Sequence, residues 1–285
     1  MRTHTHLGEI TLHQSLIPSD PLLDEFMEHY DRAFVLPDEK ETRDGLSACL
    51  ALNSGPQHDE LAGRLGPYFE TIVVAKDAQG RFVGGINMMA YTAPGAGPDG
   101  DDAHGIALNY IFVAQEFRRQ GLLTRLVGMA RDLAGQHLGV PAETFVIFLE
   151  MNNPTRMDPE DIELDSRLSG IDQDARLRAW ERVGARVIDT PYIQPALSDD
   201  GQEPETGLLL ATIPPRPMDT LPVKTLHAHL VRFFGISVLK GQPLPEVARE
   251  QIHACEQRGR EGYQLLPPTQ FAERPQPKTP RPSSG

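Results

Sequence analysis

The sequence predicts a mixed α/β fold in which one mixed sheet carries helices on both faces. Apolar stretches of strand length alternate with helical periodicity from residue 9 to residue 213, in the order β-α-α-β-β-β-α-β-α-β-β. A hairpin is indicated at residues 71–91, where the turn sequence Asp77-Ala78-Gln79-Gly80 separates two apolar strands. The nearly continuous apolar run at residues 106–113 is typical of a central strand.

The first elements of this region are a strand and three helices. Residues 9–16 alternate between apolar and polar side chains, as a half-buried strand does. Asp20-Pro21 then begins a helix, because Asp is a favoured N-cap and Pro suits the first helical position. A second helix is predicted over 39–52, ending at Asn53-Ser54-Gly55-Pro56, and a short third one near 59–65.

The later elements surround a strongly acidic segment. Helices are predicted at 122–133 and 173–183, the second ending at Gly184, and strands at 145–149, 186–188 and 208–213. Residues 152–172 are polar and acidic, and we expect them to form a long loop or an insertion.

The C-terminal region differs from the rest of the chain. Residues 214–262 are predicted to form a helical extension with the apolar stripe Val223, Leu226, Leu230, Phe233 and Phe234. Such a stripe cannot form a core by itself, so we expect it to pack on the sheet domain of residues 1–213 or on a second copy of the protein. Residues 263–285 are rich in proline and are expected to be a disordered tail.

Composition excludes several classes of protein. The chain is 39% hydrophobic and 24% charged, which suits a globular protein, and its apolar runs are strand-sized and too short to span a membrane. The two cysteines lie far apart, which argues against a disulfide framework and indicates a reducing compartment, so we expect a cytoplasmic protein. The spacing of the histidines near the N-terminus supports no metal site, so we expect no metal.

Charge is unevenly distributed along the chain. The net charge is −13, and residues 214–285 hold 10 basic against 6 acidic side chains, which leaves −17 for residues 1–213. A body this acidic repels nucleic-acid phosphates and attracts cationic ligands. The same charge also keeps a protein soluble without any partner.

The most informative segment lies between the strand ending at Val113 and the helix beginning at Leu122. Its turn directs backbone N–H groups outward at the positive end of a helix, which is an arrangement that binds anions such as pyrophosphate. Gly121 permits a ligand to approach the backbone, and Arg118 and Arg119 add positive charge. The alternative is an ordinary strand–turn–helix with two solvated arginines.

This segment resembles motif A of the GNAT superfamily of N-acyltransferases, whose pattern is Q/R-x-x-G-x-G/A. The sequence departs from the pattern at Leu123, where Gly or Ala is expected. Residues 175–184, ARLRAWERVG, are similar to the family's fourth helix, often A-x-x-L-Y-x-x-x-G-F. The resemblance covers roughly residues 9–213 and implies a GNAT-like acyl-CoA N-acyltransferase fold with a helical C-terminal extension.

The resemblance also implies where acetyl-CoA binds as co-substrate. It places the donor in a gap between the splayed parallel strands at 106–113 and 145–149. The pantetheine arm would then bond to the strand backbone at Ile111, Phe112 and Val113. The family often uses an asparagine against the arm, which points to Asn153 beside Asn152, although both residues also suit a turn ahead of Pro154. The pyrophosphate would lie against the backbone of Arg118, Arg119, Gln120, Gly121, Leu122, Leu123 and Thr124.

The family's usual general acid, a tyrosine of the fourth helix, is replaced here by Trp180. Tyr192 and Tyr110 are candidate substitutes, with a core aromatic role as the favoured alternative for Tyr110. Glu150, at the end of an apolar strand, is placed to accept a proton from an ammonium, and an ion-paired or solvated carboxylate is the alternative. Asn109 interrupts its strand either to orient a substrate or to accommodate a β-bulge.

Three functions are compatible with these features. The first is an acetyl-CoA-dependent N-acetyltransferase acting on a primary amine of a small molecule or peptide. Seven acidic residues within 158–174 would favour a cationic amine if they lie near the site, whereas a solvated loop is the commoner role of such a run. The second is a catalytically impaired CoA-binding or regulatory module. The third is an interaction protein that uses the extension at residues 221–259 as a partner or dimer surface. No nucleic acid or membrane partner is expected.

Overall fold

The computed structural model describes residues 3–7, 10–36, 40–197, 203–258 and 262–272. Within these residues the strands form one mixed sheet in the order β1-β2-β3-β4-β5-β6-β8-β7-β10-β9. The strands are β1 Thr3–Leu7, β2 Ile10–Ser15, β3 Tyr68–Lys76, β4 Phe82–Ala93, β5 Ala103–Val113, β6 Val146–Asn152, β7 Arg186–Ile188, β8 Leu208–Ile213, β9 Thr220–Leu221 and β10 Tyr263–Leu266. The mixed α/β fold class predicted from the sequence is confirmed.

Helices cover both faces of the sheet. The described α-helices are α1 Leu22–Ala33, α2 Arg43–Ala51, α3 Gly55–Leu65, α4 Leu122–Leu138, α5 Pro159–Ser169, α6 Gln173–Val183, α7 Val223–Arg232, α8 Glu246–Gln257 and α9 Pro268–Ala272. A π-helical turn, Phe233–Val238, continues α7. None of the described helices is both long and apolar enough to cross a membrane.

The two faces of the sheet have separate apolar clusters. The cluster containing α4 uses Ile106 and Ile147 of the two central strands. The next residues along these strands, Ala107 and Phe148, point to the opposite face, where they pack with α7 and the π-helical turn. Helices α1 and α2 cover the remainder of that second face, against alternate residues of β3.

The C-terminal extension is therefore packed against the sheet within this chain. Its predicted stripe residues Leu226, Leu230, Phe233 and Phe234 are buried in the cluster that also contains Phe148. The boundaries of the predicted domains stay a prediction.

Strands β5 and β6 are parallel neighbours that separate along their length. They pair only at three positions, Gly105 with Val146, Ile106 with Ile147 and Ala107 with Phe148. Beyond these positions the register of β5 against β4 shifts between Asn87 and Met89, so β5 carries a bulge. Because a bulge bends its strand, β5 leaves β6 and a gap opens toward the carboxyl ends of both. The predicted adjacent, parallel and splayed arrangement is confirmed.

Residues 152–172 were predicted as a long loop or an insertion, and the loop alternative is wrong for Pro159–Ser169, which form α5. Proline occupies the start of this helix, and Gly170 ends it in the left-handed conformation at φ 70°. The helix lacks an apolar stripe because it docks through polar groups. Asp165, which is buried, accepts hydrogen bonds from Arg176 and Gln173 of α6.

The predicted disordered tail is also wrong at its start. Tyr263–Leu266 form β10, which pairs with β7 on one side and with β9 on the other. A four-residue strand has almost no signal of its own, and distant partners supply its hydrogen bonds. The described part of the chain ends at residue 272, so the rest of the predicted tail lies outside the described residues.

Candidate active site

The turn between β5 and α4 has an unusual backbone. Arg119 and Gly121 both have positive φ angles, 63° and 72°. A Cβ atom added at Gly121 would meet no atom within 4 Å, so the space in front of this residue is open. Gly121 precedes the first turn of α4, whose N–H groups have no acceptor within the helix. These features suit the close approach of an anion to the backbone.

Arg118 is held by the protein itself. Its Nε donates to the carbonyl oxygen of Val113 at 3.1 Å, and its Nη1 donates to the carbonyl oxygen of Ser169. Burial lowers the pKa of Arg118, and the nearby charge of Arg176 lowers it further. The side chain therefore braces the end of β5 against the end of α5, which leaves Arg119, exposed in the turn, as the freer positive charge.

The edge of β5 that faces the gap presents alternate residues. The N–H of Ala114 donates to the carbonyl oxygen of Val83 on β4 at 2.9 Å. Since successive residues of a strand direct their backbone groups to opposite neighbours, Val113 and Ile111 face the gap and Phe112 faces β4. Of the three residues expected to bond the pantetheine arm, Ile111 and Val113 are thus suitably directed, although Arg118 occupies the Val113 carbonyl.

Glu150 and Tyr192 come together beside this gap. The hydroxyl of Tyr192, which is buried, donates a hydrogen bond to Oε1 of Glu150. Burial raises the pKa of Glu150 to about 7, the hydrogen bond from Tyr192 opposes this, and the charge of Glu205 adds to it. Burial and the charge of Glu150 together raise the pKa of Tyr192. At neutral pH the carboxyl group can therefore both accept and release a proton.

Tyr110, the other candidate acid, lies elsewhere in the site. Its ring makes edge contacts with Tyr30 and Phe34, and its hydroxyl accepts a hydrogen bond from the backbone N–H of Glu41 at 3.0 Å. Burial raises the pKa of Tyr110. This setting favours the core aromatic role that the sequence offered as an alternative.

A cavity of about 100 Å³ opens on the face opposite α4. Its walls come from the end of α1 and from α2, from the central strands, from the π-helical turn, and from Gln194, Leu197, Glu205 and Leu208. Three carboxylates line it, those of Glu41, Glu150 and Glu205. Of the described residues that line the cavity, none is Lys or Arg, but Nζ of Lys240 approaches from outside and pairs with Glu41 at 2.6 Å.

Sequence reasoning missed Glu41 and Glu205, because each lies in an irregular segment with no motif. The acidic residues at 158–174, by contrast, contribute none of the described residues that line the cavity. The acidity of the site thus comes from dispersed glutamates that only the fold brings together.

A second buried carboxyl lies behind the cavity wall. Ser237 of the π-helical turn donates to Oε1 of Glu70 at 2.5 Å. Burial raises the pKa of Glu70 to about 7, while the Ser237 hydrogen bond and Lys240 oppose this. Ser237 itself lines the cavity, so the extension connects this carboxyl with the site.

The remaining candidates have mainly structural contacts. Oδ1 of Asn153 accepts hydrogen bonds from the N–H and the hydroxyl of Thr155, which favours the turn-forming role. Asn109 lies in the β5 bulge and donates to Oδ1 of Asn87 at 3.2 Å. Trp180 packs on the apolar cluster beneath α4. No group of metal-ligating side chains occurs among the described residues.

The part of the chain that contains α1 to β6 is similar to a known protein family. Residues 18–156 match the model of the acetyltransferase (GNAT) family. A comparison with curated proteins gives no match.

Several solved structures are similar at low identity. A chimera of spermidine N-acetyltransferase SpeG from Vibrio cholerae and hSSAT is 14% identical, with 73% of this chain and 96% of that chain covered and a TM-score of 0.38. A tandem GNAT protein from the clavulanic acid biosynthesis pathway is 17% identical, with 64% of this chain and 46% of that chain covered and a TM-score of 0.39. Nourseothricin acetyltransferase is 17% identical, with 52% of this chain and 66% of that chain covered and a TM-score of 0.30.

Proposed function

We propose that this chain, which contains a GNAT acetyltransferase domain, transfers an acetyl group from acetyl-CoA to a primary amine that carries positive charge. The observation that carries the proposal is the hydrogen-bonded pair of Glu150 and Tyr192. Glu150 lies beyond the last paired residues of β5 and β6 and lines a cavity rich in carboxylates, and Tyr192 contacts it from outside that lining.

The donor site is supported by the backbone geometry of the β5–α4 turn. Gly121 leaves open space in front of the N-terminus of α4, so a pyrophosphate can reach the N–H groups of Leu122, Leu123 and Thr124. Ile111 and Val113 direct their N–H groups into the gap, where an extended pantetheine arm can pair with the strand edge. Acetyl-CoA bound along this path would have its thioester near the β5 bulge, where Glu150 lines the cavity.

The proposed reaction needs a neutral amine and a proton for the leaving group. Glu150 accepts a proton from the ammonium, and the nitrogen lone pair then attacks the thioester carbon to form the C–N bond. The C–S bond breaks and its electron pair leaves on sulfur. Of the two protons that the nitrogen loses, one ends on the CoA sulfur through Glu150 or Tyr192 and the other is released to solvent.

The acceptor is inferred from the charge of the cavity. Three glutamates line its wall, and the Lys240 ammonium balances only Glu41. The unbalanced negative charge favours a cationic ligand, and the enclosed setting strengthens the attraction relative to water. We therefore expect amines with a positive charge near the reacting nitrogen to be the best acceptors.

The test combines turnover with donor binding. Purified protein is incubated with acetyl-CoA and a panel of neutral, cationic and anionic amines, and thiol release is followed. We expect Glu150→Gln to lower kcat/KM about 100-fold or more while acetyl-CoA still binds. The exposed Glu143→Gln is the matched control and should behave as the wild type.

Two results would contradict the proposal. Acetyl-CoA binding without turnover of any amine would support the CoA-binding module that Trp180 suggests in place of the usual tyrosine. A chain that does not bind acetyl-CoA would support an interaction protein.

A further inference from the structure

A small inner chamber lies at the point where β5 and β6 begin to separate. Its walls include Ala107 of β5, Phe148 and Glu150 of β6, and Leu210 of β8. The C-terminal extension completes it with His229 and Phe233. Glu150 and Phe233 also line the larger cavity, so the two spaces adjoin at the proposed catalytic carboxyl.

The inner wall of this chamber is a stack of aromatic rings. His229 lies on Phe148 with ring centroids 3.9 Å apart and an angle of 7° between the planes. Phe233 stacks on the same histidine at 5.3 Å and 9°. The ring of His229 is buried, and its Nδ1 has no hydrogen-bond partner among the described residues, so stacking holds it in place. Burial lowers the pKa of His229 to about 3, so the ring is uncharged at neutral pH.

The helix that carries this ring is firmly anchored. Arg232, three residues after His229, donates to the carbonyl oxygen of Ala228 at 2.9 Å and to that of Leu65 on α3. The guanidinium also lies over the ring of Tyr91 on β4 at 5.4 Å. The chamber wall therefore resists displacement by a ligand.

The free space in the chamber is about 10 Å³. A space of that size holds about one water molecule, and a methyl group is of comparable size. Each further methylene of an acyl chain would have to displace the stacked rings, and overpacking of a rigid wall is unfavourable.

We propose that this chamber receives the acyl group of the donor, and that His229 and Phe233 close it so that only acetyl fits. The inference rests on the proposed function, because the attacked carbonyl carbon must lie beside Glu150, where the chamber and the larger cavity meet. The extension thus sets acyl-chain length in addition to covering the sheet.

The test compares acetyl-, propionyl- and butyryl-CoA with one amine. For the wild type we expect kcat/KM to be at least about tenfold higher with acetyl-CoA than with butyryl-CoA, since a single methylene alters discrimination by roughly 10-fold or more. His229→Ala should lower that ratio about tenfold or more by opening the chamber. Leu210→Ala enlarges the same chamber from β8 and should act in the same direction.

A matched control separates chamber size from general loosening of the extension. Leu226 is buried on the same helix as His229 but does not line either space, so Leu226→Ala should retain the wild-type ratio. A wild type that uses butyryl-CoA as well as acetyl-CoA would overturn the inference. Folded His229→Ala and Leu210→Ala proteins with the wild-type ratio would do so too, and Leu210→Ala decides if His229→Ala does not fold.

Calorimetric affinities for the same acyl-CoAs distinguish this inference from the proposed function. The chamber would be upheld, even if no amine is acetylated, by two results together. The wild type would bind acetyl-CoA more tightly than butyryl-CoA, and His229→Ala would have a smaller ratio of these two affinities. Turnover with unchanged chain-length preference in the variants would uphold the function and overturn the chamber. Absence of acyl-CoA binding would overturn both.

Discussion

Replacing Tyr192 with phenylalanine removes one hydrogen bond from the Glu150 carboxyl and leaves its burial unchanged. The hydroxyl of Tyr192 donates to the charged carboxylate, so it stabilises that form and lowers the pKa of Glu150. Burial acts in the opposite direction and gives a pKa of about 7. Tyr192→Phe is therefore expected to raise the pKa of Glu150.

The size of the effect follows from the strength of the lost bond. A hydrogen bond to a charged group contributes about 1.5–3 kcal/mol, and 1.4 kcal/mol corresponds to one pH unit. We expect the midpoint of the acid limb of kcat/KM to move up by about one pH unit. Because the unprotonated carboxyl then falls from about half to about a tenth at pH 7, activity there should decrease about fivefold.

The assay is the pH profile of kcat/KM for one amine, measured with saturating acetyl-CoA. Tyr110→Phe is the matched control, because its hydroxyl contacts the Glu41 backbone and should leave the midpoint unchanged. An unchanged or lowered midpoint in Tyr192→Phe would refute the assignment of Glu150 as the base. The plateau of kcat/KM at high pH gives a second result. A plateau about 100-fold lower in Tyr192→Phe than in the wild type would mean that Tyr192 also protonates the thiolate.

Three further predictions concern binding and stability. Gly121→Asp should weaken acetyl-CoA binding in calorimetry about tenfold more than Gly121→Ala does, because both introduce a side chain at φ 72° but only Asp adds a charge beside the pyrophosphate; equal affinities would place the donor elsewhere. Burial raises the pKa of Glu70 from 4.5 to about 7, so the stability that its protonated form contributes is present below about pH 4.5 and lost as the pH rises through 7. In urea unfolding, this group should lower the free energy of unfolding of the wild type by roughly 3 kcal/mol between pH 4.5 and pH 8, and Glu70→Gln should abolish that decrease. The prediction fails if the wild type and Glu70→Gln lose the same free energy over this range. Truncation after Pro217 should cause aggregation or a lower Tm by exposing the apolar face around Phe148, whereas a soluble protein of unchanged Tm would show the extension to be dispensable.

Local sequence patterns were sufficient for most of the central sheet. The hairpin of β3 and β4 was predictable because its turn residues and its apolar strands are adjacent in the chain. The strand–turn–helix at Val113–Leu122 was likewise identified from one continuous segment. The helix α5 was missed because its stabilising partners, such as Arg176 for Asp165, belong to another element.

The residues of the candidate site likewise include some that the local sequence indicates and some that only the fold brings together. Glu150 was a candidate because its position at the end of an apolar strand is visible in the sequence, and Tyr192 was a candidate only as a nearby tyrosine. Their hydrogen bond spans 42 residues and depends on the fold. Glu41 and Glu205 had no sequence signal at all, since neither a motif nor periodicity marks them.

The sequence by itself determined the fold class, the order of the central elements and the strand–turn–helix at Val113–Leu122, because each depends on residues within one turn, one strand or one helix. Tertiary structure decided how far β5 and β6 stay paired, which carboxylates meet in the cavity, and that His229 and Phe233 close the inner chamber. These features depend on contacts between residues far apart in the chain, whose energies no local pattern encodes.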